Sequence, residues 1–122
     1  MLKPKELFYV LSDETRLRCL LLLKKRGKCC VCDFIYTLQT EQSKISRHLA
    51  ILRRSGIVSH ERSGAWVYYY INPNLPIWIL NLLSSVTKET EELYLMDFIK
   101  FDERDRTLCK KSIHVQIGSQ NG

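Results

Sequence analysis

QSKISRHLAILRRSGIVSHERSGAWVYYYI, from Gln42 to Ile71, changes its hydrophobic period halfway along. Before Gly56, Ile45, Leu49 and Leu52 recur at helical spacing and fall on one face, while Lys44, Ser46, Arg47 and Arg54 lie largely elsewhere. After Gly56 the residues alternate and are rich in Val, Tyr and Trp. The turn signal "RSGA" at the centre of this stretch predicts a β-hairpin. A basic helix leading directly into a hairpin is the second half of a winged helix-turn-helix, whose second helix enters the major groove of DNA.

Upstream, "QTEQS" reads as the polar turn, and a short helix precedes it from about Cys30 or Val31 to Leu38, burying Phe34, Ile35 and Leu38. Ser43 is a candidate N-cap for the reader helix. "SDETRLRCLLLLKKRG" predicts another helix, capped by Ser12 or Asp13, with acids at its start, Lys24, Lys25 and Arg26 at its end, and Gly27 as its stop. Leu17, Leu20, Leu21 and Leu23 are its expected buried face. A first helix runs from Pro4 to Leu11, with Leu2, Leu7, Phe8 and Leu11 apolar. Downstream, Pro73 and Pro76 end the hairpin. One long helix is expected from near Leu75 to about Arg106, with Ile79, Leu82, Leu83, Val86, Leu93 and Met96 in its apolar set.

The expected fold is therefore mainly α with a β-hairpin wing, in the order α-α-α-α-β-β-α. One domain covers residues 1–106, and 107–122 form a flexible tail. The last helix is too apolar to stand alone in water, which predicts a homodimer.

Charge supports a polyanionic partner. Residues 1–40 carry eight Lys/Arg against four Asp/Glu and residues 41–71 five against two, whereas 72–122 carry six against seven. Double-stranded DNA suits such a basic front. "LPIWILNLL", Leu75 to Leu83, falls far short of the roughly 20 apolar residues of a membrane span, so no membrane partner is expected.

"GKCCVCDF", Gly27 to Phe34, crowds three of the five cysteines into four positions. Cys29, Cys30 and Cys32 could be core filler, a disulfide, a redox pair or ligands of a soft ion. No secretory pattern marks "MLKPKELFYVLSDE", so a cytoplasmic, reducing setting is expected, where clustered thiols tend to be ligands or reactive groups. Residues two apart point to opposite sides of a helix. On that geometry Cys30 and Cys32 can share an ion only if the helix start unwinds, which suggests a switch.

Together "LSDETRLRCLLLL", "CVCDF", "SKISRHLAILRRSGIV" and "GAWVYYYINP" resemble the ArsR/SmtB family of metal-sensing repressors over about residues 5–85, and most of all the repressors of arsenical-resistance operons. The resemblance implies a homodimer held by the first and last helices that binds operator DNA and releases it when a metalloid binds. Its arsenical members commonly carry a third cysteine where Ile35 stands here. Arsenite and antimonite suit three thiolates, and Cys30 and Cys32 with Cys29 as the third are the expected ligands. Soft thiolates also take cadmium, lead, zinc or copper(I).

Gln42, Ser43, Lys44, Ser46 and Arg47 are the candidate DNA contacts in the reader helix. Gln, Ser and Arg can read base edges, and Lys neutralises phosphate. Arg62 is the candidate at the wing tip. Tyr68, Tyr69 and Tyr70 are expected to pack within the strand. Cys19 reads as core, Cys109 as a surface thiol, and His48, His60 and His114 as DNA-proximal or surface residues. Two other readings of the cysteines remain: a redox or persulfide sensor of the same fold, and a thiol oxidoreductase. The second lacks the Cys-x-x-Cys in a βαβ pattern that such chemistry uses, so no enzyme is expected.

Overall fold

The computed structural model describes residues 2–104. The elements run α1 (Pro4–Leu11), α2 (Glu14–Arg26), α3 (Val31–Leu38), α4 (Gln42–Ser55), β1 (Val58–Ser63), β2 (Trp66–Ile71), α5 (Ile77–Glu89) and α6 (Leu95–Glu103). The expected tail, with Cys109 and His114, lies outside the described residues.

Asp13 caps α2, its carboxylate accepting the Arg16 N–H at 3.0 Å. From there α2 runs through the centre of the molecule. Cys19, Leu20, Leu21, Leu22 and Leu23 are all buried, more than the single face expected, because α1 and α4 pack on this helix as well as α5 and β2. Burial holds the Cys19 thiol protonated, its pKa pushed up to about 12. It is core, as read from the sequence.

Gln39 joins α3 to α4 in the left-handed conformation (φ 52°), and its side-chain amide caps the Tyr36 carbonyl at 2.7 Å. The N-cap of α4 is Glu41 rather than Ser43, which lies inside the first turn. Ile45, Leu49 and Leu52 bury the inner face of α4 as expected. Gly56, at φ 88°, terminates α4 in a conformation open mainly to glycine and turns the chain into the wing.

The wing is a two-stranded antiparallel sheet running in register from Val58↔Ile71 to Ser63↔Trp66. Its loop is shorter than "RSGA": Arg62 and Ser63 belong to β1, and only Gly64 and Ala65 turn. Gly64 at φ 65° suits the tight turns that match strand twist. Cys29 adds an edge bridge to the sheet, exchanging backbone hydrogen bonds with Tyr69 at 3.0 and 2.7 Å.

The single long last helix is corrected to two. Thr87 and Thr90 turn their hydroxyls back onto the carbonyls of Leu83 and Val86, both at 2.6 Å, which loosens a helix end. Glu89, Glu91 and Glu92 also crowd the negative end of the dipole. After the break α6 folds onto α2 and α3. Arg18 grips Asp97 with two bonds of 2.8 and 2.7 Å, and Arg26 grips Asp102 with two of 2.8 and 2.6 Å. Phe98 and Phe101 are buried there. Three residues expected in apolar sets lie outside: Phe8, Leu93 and Met96, the last two 75% and 72% exposed.

Candidate nucleic-acid interface and thiol site

Gln42, Ser43, Lys44, Ser46 and Arg47 are all exposed on the first half of α4, the half that reaches base edges in helix-turn-helix proteins. Arg62 is exposed near the end of β1. The structure thus sets every expected DNA contact on solvent-facing positions, with hydrogen-bond donors of the kinds that meet phosphates and bases. Tyr69 packs against the main core and Tyr68 against Trp66, in keeping with strand packing.

His48 is corrected in one respect: it is not a surface residue. It lies on the inner side of α4, 5% exposed, with Nδ1 at 3.3 Å from Arg16 Nη1 and Nε2 at 3.7 Å from Asp13. Arg16, itself buried, donates from Nε to the Val10 carbonyl at 2.9 Å and from Nη2 to that of Tyr9 at 3.4 Å. This group fixes α4 to the end of α1 and the start of α2. Arginine remains charged, so Nδ1 of His48 accepts from it and the ring is neutral. Burial moves its pKa down, opposed by Asp13 and reinforced by Arg16, Arg47 and Lys44.

The thiols divide. Cys30 has extended backbone (φ −95°, ψ 170°) and is the N-cap of α3, outside the helix. Its side chain packs in one cluster with Cys32 and Trp66, so the two thiols share a site with no unwinding of the helix. The expected conflict of helical geometry is therefore removed. Cys30 is 3% exposed and packs with Cys32 against Trp66, Ala65 and Tyr68 of the wing, and Trp66 stacks on Tyr68 at 5.7 Å. The Cys32 side chain, burial and the Asp33 carboxylate push the Cys30 thiol pKa up, so Cys30 is protonated at neutral pH. Cys29 points the other way, as neighbours on an extended chain do, and is fully buried in the main core. Among the described residues no group of three or more His, Cys, Asp or Glu is arranged to hold a metal ion. What is assembled is a two-sulfur platform, which suits a thiophilic ion.

Asp33 and Arg104 did not stand out in the sequence as site residues. Asp33 is fully buried and its Oδ2 accepts the Cys30 N–H at 2.8 Å, while the Cys30 side chain accepts the Asp33 N–H. This is a capping box with cysteine in the serine position, and "CVCD" carries its spacing. No helix among the described residues is long and apolar enough to cross a membrane.

Comparison with known proteins agrees with this geometry. The profile described as "Bacterial regulatory protein, arsR family" matches residues 13–60. The chain is 45% identical over 97 residues to the "Arsenic resistance transcriptional regulator ArsR2" of Pseudomonas putida, covering 80% of this chain and 84% of that one. It is 43% identical over 91 residues to the "Arsenical resistance operon repressor" of Escherichia coli, covering 75% and 78%. Among solved structures, the AntR antimony-specific transcriptional repressor superposes with a TM-score of 0.58 at 30% identity, covering 71% of this chain and 76% of that one. With its reader helix, wing and thiol pair in place, the chain belongs to the arsR family of bacterial regulatory proteins and is a winged helix-turn-helix repressor that binds DNA.

Proposed function

We propose that this repressor holds operator DNA as a homodimer and leaves it when arsenite or antimonite takes the thiols of Cys30 and Cys32, with Cys29 as the third sulfur. The observation that carries the reading is the packing of Cys30 and Cys32 in one cluster at the start of α3, against Trp66 of the wing. As each As–S bond forms, the thiol gives its proton to an arsenite hydroxyl, which leaves as water. Two thiols thus turn arsenous acid into a bis-thiolate and two waters, with no change of redox state. Cys29 joins only if its bridge to Tyr69 opens, because its side chain faces the main core. That opening detaches the wing from the segment leading into α3 and disturbs the surface that meets DNA.

The exposed apolar residues Phe8 and Tyr9 on α1, and Leu93, Met96 and Ile99 on and just ahead of α6, support the dimer. Two reader helices roughly 34 Å apart would then match one turn of DNA. The test is an arsenite titration of protein on labelled operator DNA. The Cys30→Ser/Cys32→Ser double variant should bind DNA and ignore arsenite, and Cys29→Ser should respond only at higher arsenite. A double variant that still releases would exclude these thiols as the site, and a Cys29→Ser response like wild type would exclude Cys29 as a ligand.

A further inference from the structure

We infer that the Asp33–Arg104 ion pair carries the state of the thiol pair to α6, making Arg104 a positioning residue for induction. The inference rests on the thiol-site reading above.

Asp33 is shared between two structures. Its Oδ2 accepts the backbone N–H of Cys30 at 2.8 Å, and its Oδ1 faces Arg104 Nη1 at 3.4 Å. The carboxylate is completely shielded from solvent and the Arg104 side chain is 10% exposed. Arg104 is the C-cap residue of α6. Beside the pair, Tyr36 lies on the same side of α3, three residues on, with Lys100 at 5.1 Å and the Arg104 guanidinium at 5.8 Å from its ring. The start of the sensing helix and the end of α6 are therefore held through one buried charge pair and one aromatic ring.

A pair placed only to staple α6 onto α3 could sit anywhere along the contact. This one sits on the residue whose carboxylate completes the capping box of a proposed ligand. When the Cys30 sulfur turns toward an ion shared with Cys32, the bond it accepts from the Asp33 N–H must bend or break, and Asp33 moves with it. A buried guanidinium is costly to leave without its carboxylate, so the end of α6 follows. The same helix presents Met96 and Ile99 to solvent, with Leu93 just ahead of it. A shift of α6 therefore alters the apolar surface proposed to pair the two subunits, and with it the spacing of the reader helices. On this route the ion acts on the dimer as well as on the wing.

The experiment uses full-length protein carrying Arg104→Gln or Arg104→Lys, with arsenite as the probe. Arsenite binding is followed off DNA by thiolate-to-arsenic absorption, and operator affinity is measured without and with saturating arsenite. Arg104→Gln should bind arsenite, and its affinity for DNA in the absence of arsenite should stay within about threefold of wild type. The ratio of the two operator affinities should collapse at least about tenfold toward one, because the link and not the site is broken. Arg104→Lys keeps the charge without the planar fork and should give an intermediate ratio. A wild-type ratio in folded Arg104→Gln overturns the inference. If Arg104→Gln fails to fold, a wild-type ratio in Arg104→Lys overturns it, since the residue is then a staple. Wild-type protein that shows no arsenite absorption sinks the thiol-site reading itself, a result distinct from both.

Discussion

Replacing Cys30 with serine should separate folding from sensing. Cys30 is the N-cap of α3, its side chain accepting the Asp33 N–H while Asp33 accepts from the Cys30 N–H at 2.8 Å. Serine is among the best N-cap residues, and a good cap adds about 1 kcal/mol over a residue that cannot cap. Against this, the sulfur is buried against Trp66, and putting a hydrogen-bonded hydroxyl there costs about 1 kcal/mol. The two nearly cancel, so the melting temperature by circular dichroism should move by less than about 5 °C. Operator affinity by fluorescence anisotropy should stay within about threefold of wild type without arsenite, a difference below 1 kcal/mol. Release by arsenite should be lost, because oxygen is a poor ligand for a thiophilic ion. A melting temperature lower by more than about 10 °C would show that the sulfur acts as core filler rather than cap. A normal arsenite response would refute its place in the site.

Arg47→Ala should weaken operator binding by about 1–3 kcal/mol if it grips a base edge, and wild-type affinity should fall steeply with salt; indifference to both would remove α4 as the reader. His48 has its pKa lowered by burial, so the unfolded chain takes up the proton first on acidification; the stability present above pH 6.5 is then lost as the pH falls below that value. His48→Gln keeps an acceptor for Arg16 and should flatten this loss, compared as urea midpoints at pH 7 and pH 5; equal losses in both proteins would place the acid sensitivity elsewhere. Met96→Asp should turn a micromolar dimer into a monomer by sedimentation velocity, since the side chain is 72% exposed in the single chain and its own fold does not need it; an unaffected dimer would move the interface off α6.

The local signals of the fold were plain in the sequence. Asp13 before an apolar run, Gly56 between two periods, and the alternation from Val58 to Ile71 each state their own structure. The split of the last helix was less visible, because it depends on Thr87 and Thr90 bonding backwards and on Asp97 and Asp102 finding Arg18 and Arg26 across the chain. Periodicity is blind to partners some 80 residues away. His48 was misread although the signal was present: it stands three residues after Ile45 and four before Leu52, on the face of α4 that is buried, where Arg16 and Asp13 meet it. In the thiol site, proximity in sequence pointed to three sulfurs acting together. An extended chain alternates its side chains, so Cys29 and Cys30 face different clusters, while the cap position of Cys30 lets it meet Cys32. The capping box was legible in Cys30-Val31-Cys32-Asp33 to a reader who allowed cysteine to stand for serine. Nothing in the sequence marked Trp66 or Arg104 as its neighbours.

The most direct measurement of the central claim is X-ray absorption at the arsenic edge on reduced, arsenite-loaded protein, beside the Cys30→Ser/Cys32→Ser variant under the same conditions. The account predicts sulfur in the arsenic coordination shell of the wild type, with Cys29→Ser losing one sulfur and the double variant losing the sulfur shell. An arsenic shell of oxygen alone in the wild type, or a sulfur shell unchanged in the double variant, would contradict it.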